Sequence, residues 1–410
     1  MKASIIGASL LAAASLALAA DGLEWSGYSR GGGTLGYNKD NGVQGGLSLG
    51  GDLQKFRLGN EGDAGIEVFV GKRFEASDGL RYKLGYMPSK WGSGNVGTVQ
   101  AFAEVSGLSA APEARFWVGQ RRLRIQDVHI VDHFLMNGGE SLGAGVMDLA
   151  VGPVQLGLTV ASANTFDRPL PAGTSASKLN LDVGGIGTNP GGTVRALLTA
   201  VSSAGFGSQG GHGLSLVHNQ RDFLMPGLNH SLFVQTASGL ARVTGEFIDL
   251  TVPAGSGPAA VHGLRSSRIV DAVQWQRGAW GGQALAAYQR NQTDGQTWSS
   301  RDSSLGARVS YAVSEHFKWL LEAGATARSF SDGQPHQRLN KVTLAPTLAM
   351  GRDFWSRPEL RLYLTRANWN DAAGAAHVGS PGAPGFASTD GRAAQLKGQT
   401  LVGVQYEVWW

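Results

Sequence analysis

The residues best suited to chemistry lie in one short stretch, in which Asp127, His129 and Asp132 follow one another closely. Two carboxylates and an imidazole could be read as ligands of a metal ion. Their spacing does not favour that reading, and we predict no metal site. Instead, we expect His129 to form hydrogen bonds that fold a loop, because side-chain hydrogen bonds to nearby backbone stabilise turns.

Other kinds of reactive site are poorly supported. The chain has no cysteine, which excludes disulfides, thiolate zinc sites and cysteine nucleophiles. It has nine histidines and many serines, but no local arrangement of nucleophile, base and orienting group. We therefore predict no enzyme and no cofactor, with a membrane-embedded hydrolase as the alternative. Arg121, Arg122 and Arg124 form the densest basic group, which we assign to a loop or an internal surface rather than to nucleic-acid binding.

Composition narrows the fold class. Glycine accounts for 61 of 410 residues, charged residues for only 16%, and hydrophobic residues for 42%. The glycines lack the period of three that collagen requires, and the hydrophobic content is too high for simple disorder. A mean hydropathy of −0.11, without long apolar runs after the N-terminus, argues against a bundle of membrane helices. An ordered, glycine-rich, all-β chain remains.

The first residues predict export. Lys2 precedes an apolar run, and small residues with the pattern of a cleavage site follow near Ala19 and Ala20. This pattern is typical of a secretory signal peptide, which we place at residues 1–20, with residues 21–410 as the mature chain.

The mature chain alternates in hydrophobicity with a period of two, as strands with one apolar face do. Leu360, Leu362 and Leu364 alternate with polar residues, and so do Val402, Val404 and Tyr406 near the C-terminus. The same alternation occurs in residues 23–30, 305–311 and 317–324. Glycine-rich residues 41–51, 184–192 and 253–263 are predicted to be turns or loops.

Two architectures produce this pattern: a soluble β-sandwich and an outer-membrane barrel. A single sandwich of this length would be unusually large. A barrel whose apolar face meets lipid would hold roughly 16–20 strands, since each spans about 9–11 residues plus a turn or loop. The terminal Trp410 and the aromatic residues Trp25 and Tyr406 suit the interfacial girdles of such a barrel. We therefore predict a transmembrane antiparallel β-barrel.

Six sequence blocks, in the same order, resemble the maltoporins, the sugar-specific porins of Gram-negative outer membranes. The resemblance spans nearly the whole mature chain, apart from the glycine- and serine-rich loops. The blocks are residues 27–30 (GYSR), 55–61 (KFRLGNE), 117–121 (WVGQR) with 127–132 (DVHIVD), 189–193 (NPGGT), 355–358 (WSRP) and 407–410 (EVWW).

The resemblance implies a homotrimer of antiparallel barrels with about 18 strands each, in outer-membrane lipid, with an inward-folded constriction loop in each lumen. It also implies a curved track of aromatic side chains that binds sugar rings. Tyr28, Trp355 and Trp409 match this track, and the alternation places all three on polar, inward faces. Each ring could instead pack beneath a loop without touching substrate.

The resemblance also implies polar residues that hydrogen-bond sugar hydroxyls beside the aromatic track. Charge-assisted hydrogen bonds suit that task because they are strong and directional. Alternation places Arg57 and Glu67 on inward strand positions, although both could be solvated charges without a ligand. The matching residues are Arg30, Arg57, Glu67, Asp127 and Asp132, with Phe134 at the constriction.

The sequence departs from the family pattern at several positions. Gly65 stands where a track aromatic is usual, Phe134 replaces a constriction tyrosine, and Ile125 replaces an arginine beside Arg124. Trp91 matches loosely a tryptophan that a neighbouring subunit contributes to the track. We therefore expect a shorter aromatic track and a less polar constriction.

The favoured hypothesis is passive, selective diffusion of maltose and maltodextrin-type oligosaccharides. The alternative is a broader porin for sucrose, β-glucosides or anions, which the missing track residues and the basic charge balance motivate.

Overall fold

The chain forms one closed antiparallel sheet. The computed structural model describes residues 22–35, 46–205, 210–248, 250, 264–293, 299–376 and 397–410. The sheet has 18 strands, and β1 pairs with both β2 and β18. Each other strand pairs with its neighbours in sequence, so the predicted transmembrane barrel is confirmed. The proposed signal peptide, residues 253–263 and residues 41–45 lie outside the described residues.

The strands are long enough to cross a membrane when tilted, since spanning strands take about 9–11 residues. The wall strands are β1 Leu23–Leu35, β2 Gly65–Glu75, β3 Arg81–Trp91, β4 Gly97–Leu108, β5 Ala111–Val128, β6 His133–Val151, β7 Val154–Ser162, β8 Ser175–Gly187, β9 Gly192–Ala204, β10 Gly211–Gln220, β11 Leu228–Gly239, β12 Arg265–Arg277, β13 Trp280–Gln292, β14 Ser299–Ala312, β15 Phe317–Phe330, β16 Gln337–Ala349, β17 Glu359–Trp369 and β18 Gly398–Trp409.

The helical segments in the described part of the chain are short: a 3₁₀ turn at His129–Val131 and helix α1 at Asp371–Ala376. Neither described helix is long and apolar enough to cross a membrane.

The alternation separates a lipid-facing surface from an inner surface. Leu305, Leu360 and Trp25 are exposed on the outside, at 64%, 60% and 47%. Polar and charged side chains at the intervening positions point inward, where many are buried. Trp25 lies 5.7 Å from Trp410 by ring centroids, so these two rings form part of an outer aromatic surface. The face assignments of β1, β14, β15, β17 and β18 are confirmed.

Among the described segments that fold into the barrel, two form the surroundings of the site. The first is the tip of the β5–β6 hairpin, residues 123–138, where the register shifts repeatedly beyond Arg122. Its apolar side chains Ile130, Leu135 and Met136 are fully buried against the inner faces of the opposite wall, including Phe233 and Val270. The predicted inward-folded constriction loop is therefore present.

The second segment is residues 46–64, the described part of the β1–β2 connection, which we call the first loop. Phe56 packs on the inner face at Gly306 and Gly324, where an added Cβ would lie 2.3 and 2.0 Å from its ring atoms. Glycine is needed there because no side chain fits beneath the ring.

The first loop overturns one prediction. We expected Arg57 at an inward strand position, but residues 51–64 are not strand, and the flanking Phe56 and Leu58 are buried inside the barrel. A second prediction was only partly right, because residues 184–187 belong to β8 and only residues 188–191 form the turn.

Candidate functional site

Four aromatic rings form an arc along the inner wall. Trp91 on β3, Tyr28 on β1 and Trp409 on β18 lie on nearby strands, and Trp355 lies in the connection that precedes β17. Tyr28 and Trp409 are direct cross-strand partners, and both point inward, as the alternation predicted. All four rings are partly exposed rather than sealed.

The Trp355 and Trp409 rings are held by the constriction. The His129 ring lies 5.2 Å from that of Trp355 and 6.0 Å from that of Trp409, with an edge-to-face arrangement in both cases. The Arg357 guanidinium lies over the Trp409 ring at 4.3 Å. Edge-to-face contacts fix ring orientation. Trp355 lies in a connection, so its position comes from these contacts rather than from strand alternation.

Trp91 occupies the volume that Gly65 leaves open. The two residues are cross-strand partners, and an added Cβ on Gly65 would lie 2.1 Å from the Trp91 ring. The same ring stacks on Tyr28 at 6.2 Å and donates from Nε1 to Glu67 at 3.3 Å. An aromatic ring is therefore present above Gly65, supplied by the next strand of the same chain. The side chain missing at Gly65 is thus replaced in space by a ring from β3, while the shorter aromatic track stays a prediction.

The Arg57 guanidinium lies at the centre of a charged network between the first loop and the wall. It contacts Glu61 and Glu407, each at 2.8 Å, and donates to the Tyr28 hydroxyl at 2.9 Å. Its side chain is only 3% exposed. Arg57 thus fixes the Tyr28 ring directly.

Arg30 joins the wall to both inserted segments. It contacts Glu61 and Asp63 of the first loop at 2.7 and 2.8 Å, and Asp132 of the hairpin tip at 2.8 Å. Burial alone would raise the pKa of Asp132, but the guanidiniums of Arg57 and Arg30 hold it well below its usual range. Asp132 is therefore anionic and anchors the turn after His129, where its backbone is left-handed with φ of 53°.

His129 is buried between these charges as a neutral ring. Burial and the Arg57 guanidinium lower its pKa to about 3. Its two ring nitrogens lie 3.1 and 3.4 Å from Arg57 Nη1, so the loop-folding role predicted for His129 agrees with its contacts.

Glu67 is held by the β5 wall. It pairs with Arg122 through two contacts of 2.6 and 2.9 Å, and Arg122 also contacts Glu140. Its inward position is confirmed, and Trp91 completes its set of partners.

Asp127 and Phe134 face each other across the hairpin tip as register partners. The Asp127 carboxylate forms no ion pair with any residue in the described ranges. The Arg124 guanidinium lies over the Phe134 ring, 4.4 Å from the ring centroid. These two predicted residues therefore lie together at the hairpin tip.

The open part of the lumen adjoins this hairpin. A cavity of about 410 Å³ lies among β4 to β9 and includes Arg115, Arg121, Arg122, Arg124 and Arg195 in its lining. Within the described residues, no cluster of histidine and acidic side chains could hold a metal ion.

Sequence reasoning missed several residues of the site. Glu407, Arg357 and Arg361 belong to the network, with Glu407 accepting from both arginines at 2.9 and 2.6 Å. The blocks at residues 355–358 and 407–410 contained Arg357 and Glu407, but nothing in their local pattern indicated that they would meet. The inward parity shared by Arg357, Glu359 and Arg361 was the available signal.

Several solved structures match this chain. OccAB2 of Acinetobacter baumannii matches with 6% identity and a TM-score of 0.50, over 95% of this chain and 97% of that one. An anion-selective porin from Comamonas acidovorans matches with 9% identity and a TM-score of 0.46, over 94% and 98%. OmpT of Vibrio cholerae in its trimer form matches with 10% identity and a TM-score of 0.46, over 95% and 99%. At 6% identity, the similarity to OccAB2 concerns the fold alone.

The sequence itself matches a family over nearly its full length. The LamB porin model covers residues 23–410, a range that includes all 18 strands and both inserted segments. A channel-forming barrel of the outer membrane follows from this match together with the fold. The chain belongs to the LamB porin family.

Proposed function

We propose that this channel carries oligosaccharides of the maltose and maltodextrin type across the outer membrane by passive diffusion. The observation that carries the proposal is the arc of Trp91, Tyr28, Trp409 and Trp355 on the inner wall, beside hydrogen-bonding side chains. No reaction is involved. The channel selects by weak binding along the path.

The physical basis is the two-sided character of a sugar ring. Its C–H face is apolar and stacks on an aromatic ring, while its hydroxyls need polar partners at the edge. Asp127 and Asp132 offer carboxylate oxygens, and Arg30, Arg57 and Glu67 border the arc while holding its rings in place. Phe134 adds an apolar surface at the constriction. Successive weak sites favour passage because tight binding at one site would block release.

The proposal includes the assembly and its setting. The mature chain, residues 21–410, would act as a homotrimer in outer-membrane lipid after export and removal of residues 1–20. The lipid-facing apolar surface of the strands supports the membrane part of this proposal.

The test is block of single-channel current in planar bilayers by maltohexaose and by sucrose. We expect block at millimolar concentration or below by maltohexaose and not by sucrose. Trp409→Ala and Trp355→Ala should each weaken that block about threefold to tenfold, since an aromatic contact contributes about 0.5–1.5 kcal/mol.

Trp280→Ala is the matched control, because Trp280 is 54% exposed on the outer surface. It should leave sugar block unchanged. Equal block in wild type, Trp409→Ala and Trp355→Ala would reject the roles of these rings. Absence of block by any sugar, together with strong anion selectivity, would reject the function.

The second candidate is a broader porin that accepts sucrose, β-glucosides or anions. The observation in its favour is the arginine-rich cavity beside the hairpin tip. Block by sucrose as strong as that by maltohexaose would favour it.

A further inference from the structure

Five guanidiniums border one side of the lumen. Arg115, Arg121, Arg122 and Arg124 belong to β5 and Arg195 belongs to β9, and all five line the cavity of about 410 Å³. A second cavity of about 340 Å³ shares Arg122 and Arg124 and adds Lys178 to the lining. The two cavities therefore adjoin at Arg122 and Arg124, where the hairpin tip begins.

Four of the five arginines have carboxylate partners. Arg121 pairs with Glu104, and Arg122 contacts Glu67 at 2.6 Å. Arg115 and Arg195 pair with Asp148 and Asp182.

Arg124 is different from the other four. Within the described residues it forms no ion pair, and its contact is with the Phe134 ring at 4.4 Å. Its side chain is exposed, and the exposed part borders both cavities. A guanidinium has five N–H donors, and stacking on a ring uses its face rather than these donors. Arg124 therefore presents an open donor edge to the lumen, without a directly paired carboxylate in the described residues.

We propose that Arg124 forms a subsite for the anionic group of an acidic saccharide, either a carboxylate or a phosphate. Both groups match the planar donor fork of a guanidinium, which can contact two of their oxygens at once. The proposal deepens the proposed function and rests on it, since the sugar rings would bind along the aromatic arc. The contacts continue from Trp91 through Glu67 to Arg122, whose side chain lines the same cavities as Arg124.

A saccharide fits this site better than a free inorganic ion. Asp127, close by on the same strand, carries a carboxylate without an ion-pair partner in the described ranges and would repel a bare anion. A sugar acid can donate its hydroxyls to Asp127 while its anionic group contacts Arg124. The subsite therefore requires both an anion and hydroxyl groups on one molecule.

The experiment compares current block by a neutral glucose trisaccharide with block by the same trisaccharide oxidised to a carboxylate at one end. Wild type should bind the acidic form more tightly. Arg124→Gln should remove this preference, with about a tenfold or greater loss of affinity for the acidic form, because hydrogen bonds to charged groups are strong. Arg124→Lys should keep part of the preference through its charge.

The matched control is Arg366→Gln. It makes the same charge change on β17, at an exposed position on the outer face of the strand. It should leave the preference intact. If both trisaccharides block equally in wild type, the acidic subsite is wrong while the proposed function stands. If neither blocks, the proposed function fails first. If Arg124→Gln alters only chloride-over-potassium selectivity, Arg124 serves small anions and the proposal is overturned.

Discussion

The two sides of the lumen use charge differently. The inner faces of β14 to β18, which we call the packed wall, lie beneath the first loop and the hairpin tip. The side chains of Arg308, Glu322, Arg361 and Glu359 there are at most 1% exposed. The inner faces of β5 to β9, the open wall, border the cavity, and Arg115 and Asp148 are 37% and 41% exposed.

The difference lies in the number of partners for each charge. On the packed wall one carboxylate serves several cations: Glu322 binds Arg308 and Lys341 and also accepts from the backbone N–H of Leu58. Buried charges need such complete pairing because desolvation is costly. On the open wall the Arg115–Asp148 pair is exposed and screened by water, so a passing solute can compete for it. The packed wall positions the loops, and the open wall is available to solutes.

The largest effect should follow from breaking the packed wall at Glu322. Glu322→Gln keeps the shape but leaves Arg308 and Lys341 without a compensating charge. We expect a loss of about 3–5 kcal/mol in unfolding free energy. Denaturant unfolding in detergent, followed by tryptophan fluorescence, measures it. An unchanged unfolding midpoint would contradict the conclusion that the buried charges of the packed wall stabilise the fold.

The buried His129 should make the packed side sensitive to acid. Its pKa is about 3 in the folded chain, whereas an unfolded histidine titrates near 6.5. As pH falls below about 6.5 the unfolded state takes up the proton first, so the folded state loses stability, by about 2–3 kcal/mol at pH 4.5.

The measurement for His129 is unfolding free energy from pH 7 to pH 4.5 in wild type and His129→Gln. The difference between the two proteins should shrink or reverse toward low pH. Parallel curves would show that His129 does not contribute to acid sensitivity.

Filling the space that the Phe56 ring occupies should give a smaller loss of stability and displace the first loop. Gly324→Leu places a side chain where the Phe56 ring lies. Overpacking should cost about 1–3 kcal/mol and displace the first loop, so that single-channel conductance rises. Ala323→Leu, the next residue on the outer face, is the control and should leave conductance unchanged. Equal conductance in both variants would mean that the first loop does not narrow the channel.

The smallest effect should come from the open wall. Asp148→Asn breaks the Arg115–Asp148 pair, and we expect less than about 1 kcal/mol in unfolding free energy, because exposed ion pairs contribute little. Measured beside Glu322→Gln, this variant tests the contrast directly. A loss as large as that of Glu322→Gln would remove the distinction between the two walls.

Much of the barrel could be predicted from local pattern. The inward positions of Tyr28, Trp409 and Glu67 followed from alternation, because a strand turns each successive side chain to the opposite face. Arg57 shows where that reasoning fails. Phe56, Arg57 and Leu58 alternate like a strand, yet they form a loop whose apolar side chains pack against the inner wall.

Trp91 shows a second limit. Its relation to Gly65 depends on the β2–β3 register, which places the two residues opposite each other. Sequence comparison treated each position separately and read the glycine as a gap in the aromatic track. The contact between a missing side chain and a ring on the next strand is a property of the sheet.

The sequence by itself determined the class of protein, the barrel, its two faces and the family, because hydrophobic alternation and short motifs are local and lie within one strand or block. Tertiary structure alone decided which charges are buried in the packed wall, that Trp91 covers Gly65, and that Arg124 forms no ion pair with a described residue. These properties depend on where two inserted segments come to rest against distant strands, and the balance of desolvation and pairing at each charge depends on all of its neighbours at once.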